Sequence, residues 1–171
     1  HRDLHSFPTR RSSDLVAGPW AARAQPGDRL VVGGPRGSFV VADDYDGYVL
    51  IGDETALPAI ARWLEILPDT AEIQVLIEVA DEAERQVLWQ GDNVRIQWLE
   101  RNGFAAASST LLEEALADFE APEGDTFYWI GTESRRARMM RKFFEGHHAV
   151  PRDWIRSTGY WKAHPDDTDG D

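Results

Sequence analysis

The chain has 171 residues, enough for one domain with a sizeable core. Its 18 Lys and Arg against 30 Asp and Glu give a formal charge of -12, which disfavours nucleic acid and anionic membrane as partners because both need a basic surface. It has no cysteine, which excludes disulfides, thiolate metal sites and cysteine nucleophiles and fits a cytoplasmic protein.

Residues 1–14, "HRDLHSFPTRRSSD", show neither helical nor strand periodicity and lack the apolar core of a signal peptide. They resemble a translated adapter remnant joined to a reading frame; the alternative is a native disordered tail. Residues 15–42 read as a connector. A short helix is expected over 20–24, a turn at Pro26-Gly27-Asp28, and a short strand over 29–32 that Gly33-Gly34-Pro35 ends.

From Tyr48 the pattern alternates. Strands are expected over 48–52, 72–79, 94–100, 126–131 and 155–161. Helices are expected over 55–67, 81–89, 109–119 and 133–145. The third carries a Thr110–Glu113 capping-box pattern, and the fourth stops at Gly146. No apolar run approaches a membrane span, so no stable membrane insertion is expected. Residues 165–171 form an acidic tail. Strand and helix in alternation predict an α/β fold, a doubly wound, mainly parallel five-stranded sheet with helices on both faces, occupying 43–164. Ligands of such folds sit past the carboxyl ends of the strands.

Three stretches lie where that edge is expected. The first, Gly52-Asp53-Glu54-Thr55-Ala56-Leu57-Pro58, lacks a GxGxxG spacing and a Walker lysine. It reads either as a capped helix start or as a wall for the uncharged part of a dinucleotide, its acids facing the nicotinamide–ribose end. The second, Gly131-Thr132-Glu133-Ser134-Arg135, opens another helix whose N-terminus suits an anion, with Arg135 placed to clamp a phosphate. Arg136, Arg138, Arg141 and Lys142 read as a solvated basic face. The third, Gly159-Tyr160-Trp161-Lys162, offers core aromatics or a ring platform for a planar cofactor. No HExxH or GxSxG spacing is present, so hydrolase chemistry has no candidate.

In this order, "VAGPWAARAQPGDRLVVGGPRGSF", "GDETALPAIARWLE", "YWIGTESRRARMMRKFF" and "TGYWKAH" resemble the siderophore-interacting protein family. These are FAD-dependent ferric-siderophore reductases of the ferredoxin reductase-like group, with a β-barrel before a nicotinamide-nucleotide domain. The resemblance implies that 15–42 hold the last piece of the FAD-binding barrel, with Ala17, Gly18 and Trp20 near the FAD pyrophosphate. It implies that Gly52, Asp53, Thr55 and Ala56 form one wall of the NAD(P)H cleft and Gly131, Glu133 and Ser134 the other. Tyr160 and Trp161 would pack beside the flavin, and Arg156 and Lys162 would face the ferric siderophore. No catalytic acid or base and no bound metal is implied, and a monomer is expected. The family's Arg-x-Tyr-Thr motif is missing, the glycine expected near Leu15 is absent, and Gly131-Thr132-Glu133 replaces the usual Ala-Gly-Glu. An N-terminally truncated chain that binds FAD poorly is therefore expected. Rival readings are a flavin reductase or diaphorase with another acceptor, and a non-catalytic nucleotide-binding module.

Overall fold

A computed structural model describes residues 17–31, 33 and 40–163. The chain divides into two compact units, His1–Val41 and Ala42–Asp171. The lead, Leu15 and the acidic tail fall outside the described residues.

In the first unit α1 spans Ala17–Ala21, earlier than the expected 20–24. Its end is closed by the Arg23 and Ala24 N–H groups, which donate to the Trp20 carbonyl at 3.1 and 3.0 Å. The Pro26-Gly27-Asp28 turn forms as expected. Gly27 takes a φ of +103, and the Asp28 carboxylate accepts from the Gln25 N–H at 2.8 Å. The expected strand does not form over 29–31, and Val32 lies outside the described residues. A strand needs a neighbour to complete its ladder; Leu30 and Val31 instead stand exposed, at 62% and 94%.

The second unit is a five-stranded sheet in the order β3-β2-β1-β4-β5. β1 (Gly47–Asp53), β2 (Glu72–Val79), β3 (Val94–Glu100), β4 (Thr126–Glu133) and β5 (Ile155–Trp161) match the expected strands closely. Every pairing is parallel. β1 and β4 are buried along their whole length, as the unbroken apolar runs "YVLI" and "FYWI" require.

Helices cover both faces. α2 (Leu57–Ile66) turns Leu57, Ile60 and Leu64 inward. α3 (Leu111–Ala117) and α4 (Ser134–His147) cover the opposite face. There Leu112, Leu116, Met140 and Phe144 pack with Val49, Ile51, Tyr128 and Ile130. Two differences from expectation have local causes. Residues 81–89 hold only a single turn, Glu82–Glu84, closed by Asp81 accepting from the Ala83 N–H at 2.8 Å. That segment is charged and has no apolar stripe to bury, and so short a helix does not stand alone. α4 passes Gly146 and ends at His147, where Ala149 takes the left-handed φ of 52 and the Val150 N–H donates to the Phe144 carbonyl at 3.1 Å.

All four tyrosines (45, 48, 128 and 160) have pKa values raised above the ordinary value of about 10, with burial the first cause in each. A raised folded-state pKa stabilises the fold fully below the unfolded value, and that contribution is lost as pH rises through the folded value. Stability is therefore expected to fall on the alkaline side of about pH 10. Tyrosinate absorbance should rise together with loss of near-ultraviolet circular dichroism; tyrosines that all titrate normally in the folded protein would contradict this.

Candidate functional site

β1 continues to β2, whereas β4 continues to β5 on the other side. Their adjacent carboxyl ends form the switch point of the sheet, where ligands of such folds bind. The floor there is Asp53, the last residue of β1, 1% exposed. Its Oδ2 accepts from Thr132 Oγ1 at 2.7 Å and Trp161 Nε1 at 2.8 Å. Its Oδ1 accepts from the Thr55 N–H at 2.9 Å and the Thr55 hydroxyl at 2.5 Å. One carboxylate thus ties the ends of β1, β4 and β5 to the turn before α2. It is buried, and both of its oxygens are engaged within the chain. Gly52 serves the same closure, since a Cβ there would stand 2.5 Å from the Ala56 Cβ and 2.8 Å from the Gly131 carbonyl.

The first turn of α4 is also closed internally. Glu133 caps it, with Oε2 accepting from the Arg135 and Arg136 N–H groups at 2.7 and 3.0 Å. These amides, expected to suit an external anion, are held by the chain's own carboxylate. Ser134 Oγ donates to the Trp161 carbonyl at 3.0 Å. Gly159 permits this contact, because a Cβ there would lie 2.8 Å from the Ser134 Cα.

Between the two turns runs a chain of alternating charge. Glu54, expected to face a ribose, instead meets Arg101 through two hydrogen bonds, at 2.8 and 2.5 Å. Arg101 reaches the fully buried Glu78 at 3.2 Å. Glu78 accepts from Arg136 at 2.8 Å, and Arg136 grips Glu113 with two bonds of 2.8 Å. Burial pushes both arginines toward the neutral form, but the hydrogen bonds and charges of their glutamates outweigh it and raise both pKa values. The expected capping box is thereby undone. Glu113 is drawn to Arg136, and the Thr110 hydroxyl donates to Glu114 at 2.6 Å instead.

What remains open at the edge is narrower than the expected set. Gly52, Asp53, Ala56, Gly131, Glu133 and Ser134 are buried framework. Thr55 is partly buried, and Arg135 is exposed. Tyr160 is 42% exposed and meets Trp129 edge-on, with ring centroids 6.0 Å apart. Its outward position follows from a bulge, since Thr132 pairs with Gly159 and Glu133 with Trp161, leaving Tyr160 as the extra residue. Trp161 is half-buried, its indole N–H committed to Asp53. Arg156 and Lys162 are exposed on and beside β5. Arg85 pairs with Glu100 at 2.7 Å. Ala17, Gly18 and Trp20 belong to α1 in the first unit.

Residues missed from the sequence are Thr132, Glu78, Arg101, Glu113 and Arg136. Two signals for them exist. Glu78 interrupts the apolar run "VLIEV", and a buried acid there requires cationic partners. Arg136 shares the helical face of Met140 and Phe144, which Arg135 does not.

An all-parallel sheet with this strand order and helices on both faces makes this a doubly wound α/β domain. The chain belongs to the siderophore-interacting protein family, whose profile matches residues 45–164. It is 36% identical to the NADPH-dependent ferric-chelate reductase of Escherichia coli over 151 residues, which cover 86% of this chain and 57% of that protein. It is 29% identical to the ferric vibriobactin reductase ViuB of Vibrio cholerae, over 85% of this chain and 54% of that one. A siderophore utilization protein from T. fusca superposes with a TM-score of 0.79 at 42% identity, over 91% of this chain and 59% of its own. The chain thus spans little more than half the length of these relatives.

Proposed function

We propose that the intact protein is an NAD(P)H-dependent, FAD-mediated ferric-siderophore reductase, and that this chain carries its nicotinamide-nucleotide part. The observation that carries the reading is the switch point of the sheet between β1 and β4, with the exposed ring of Tyr160 on its β5 side. Relatives named as ferric-chelate and ferric vibriobactin reductases support it.

The residues fit a planar cofactor in one specific way. The bulge turns one aromatic ring outward at the carboxyl edge of the sheet, where it meets Trp129 edge-on. In this reading Thr55 lines the nicotinamide cleft, Arg135 meets a phosphate, and Tyr160 and the edge of Trp161 lie beside the flavin. The buried glycines and acids hold those positions without touching the ligand. Ala17, Gly18 and Trp20 would contact FAD, and Arg156 and Lys162 would meet the anionic ferric siderophore. FAD, when bound, supplies the passage from hydride to single-electron chemistry that reduces Fe(III). The chain's own task is to orient the rings and exclude water, which needs no side-chain acid or base.

Calorimetric titration of this chain with NADPH and NADH, alone and with the barrel half of a close relative supplied, tests the reading. Nucleotide binding in either setting, and ferric-siderophore reduction only with barrel and FAD, is expected. Absence of nucleotide binding in both settings overturns it. Reduction of free flavin or quinone, but of no ferric chelate, would favour a diaphorase. Because the chain spans little more than half its relatives' length, nucleotide binding without turnover is the reading for this chain alone.

A further inference from the structure

The two faces of the sheet carry different kinds of ring. On the face under α3 and α4, Phe119, Phe143 and Tyr128 pack around Phe144. Phenylalanine predominates there and serves packing alone. On the α2 face stand Trp63, Trp129 and Tyr160. Trp63 of α2 and Trp129 of β4 have centroids 6.4 Å apart, and Trp129 and Tyr160 of β5 have centroids 6.0 Å apart. Both are contacts of packed aromatic pairs, which span about 4.5–7 Å. On its other side Trp63 meets Phe127 at 6.4 Å, and Tyr45 lies beyond Phe127 at 5.4 Å. A phenylalanine thus separates this run from the phenol at the start of β1.

Exposure rises toward one end of the run. Trp129 is 7% exposed, Trp63 is half-buried, and Tyr160 is 42% exposed. Indole and phenol rings give up a single electron more readily than the other side chains of this cysteine-free chain. An oxidised indole takes an electron from a neighbouring phenol when the phenol can release its proton. Tyr160 meets that condition because it is open to water, whereas Tyr48 and Tyr128 are buried. We propose that Trp63, Trp129 and Tyr160 form a one-electron relay that passes an oxidising equivalent from the tryptophans to the Tyr160 phenol at the carboxyl edge.

A hydroxyl-type radical removes one electron from either indole and becomes hydroxide. Tyr160 supplies an electron to the oxidised indole and releases its phenol proton to water, which leaves a neutral indole and a neutral phenoxyl. A soluble thiol returns one electron and one proton to the phenoxyl and becomes a thiyl radical. On the reductase reading, ferrous iron and peroxide supply such an oxidant at this edge. The relay itself rests on the three rings and not on that reading.

Pulse radiolysis with azide radical, which oxidises indole selectively, tests the relay in this chain without flavin, nucleotide or iron. Its failure is therefore distinguishable from failure of the reductase reading. A Tyr45→Phe background silences the phenol beyond Phe127. In that background tryptophanyl absorption should convert to tyrosyl absorption at a rate independent of protein concentration. Tyr160→Phe, at an exposed position, and Trp129→Phe, which keeps a ring in the core, should each lower the tyrosyl yield several-fold at unchanged circular dichroism. Trp89→Phe, an indole 47% exposed and outside the run, should not lower it. A rate proportional to protein concentration, or a yield unchanged by Tyr160→Phe or by Trp129→Phe, overturns the proposal.

Discussion

Replacing Arg136 by Met is expected to lower unfolding free energy by about 3–5 kcal/mol, the cost of removing one partner from a buried ion pair. Three glutamates and two arginines make up the chain from Glu54 to Glu113, and the arginine side chains are only 4% and 9% exposed. Loss of Arg136 leaves one cation for three acids, one of them fully buried. Glu113, at 27% exposure, can turn to water, but Glu78 at 0% cannot. Removing Glu78 instead leaves each arginine with a glutamate, Arg101 with Glu54 and Arg136 with Glu113. Glu78→Met should therefore cost less than Arg136→Met. The double variant should be more stable than Arg136→Met alone, because it no longer leaves the fully buried Glu78 to share Arg101 with Glu54. Urea unfolding of the three variants measures this sign. Additive losses would mean that the network is solvated and not a buried chain of charge.

The five strands were legible because their signal is burial itself. A run such as "FYWI" has no polar position to give to solvent, and only a central parallel strand accepts that. The helix expected over 81–89 shrinks to the turn 82–84, because its charged residues at roughly helical spacing have no apolar face behind them. The side chains at the carboxyl edge were harder to read. The spacing of "GDET" permits Asp53 either to cap a helix or to meet a ligand. The choice is made by Thr132 and Trp161, which are 79 and 108 residues away. Likewise Arg135 and Arg136 are adjacent and chemically alike. Their different fates follow from the acid at Glu78 on another strand, which local sequence does not contain.

Asp53→Ala is expected to act on stability and on the edge together. Its carboxylate takes four hydrogen bonds, and the substitution strands the Thr132 hydroxyl, the Trp161 indole N–H and the Thr55 N–H. With roughly 1–3 kcal/mol for each buried donor left unpaired, and partial relaxation, a loss of about 3–5 kcal/mol follows. Trp161→Phe leaves the carboxylate with its Thr132 and Thr55 donors, so it should cost only about 1 kcal/mol. The two variants share one further effect. Each releases the end of β5 from β1, so the bulge that turns Tyr160 outward loses a support. In the barrel-completed protein both should slow flavin reduction by NAD(P)H, whereas nucleotide affinity should change little because the Asp53 carboxylate is buried and engaged within the chain. If Asp53→Ala instead weakens nucleotide binding selectively at unchanged stability, the carboxylate meets the ligand after all. If stability falls and flavin reduction holds, Asp53 fastens the three strand ends without setting the position of the ring.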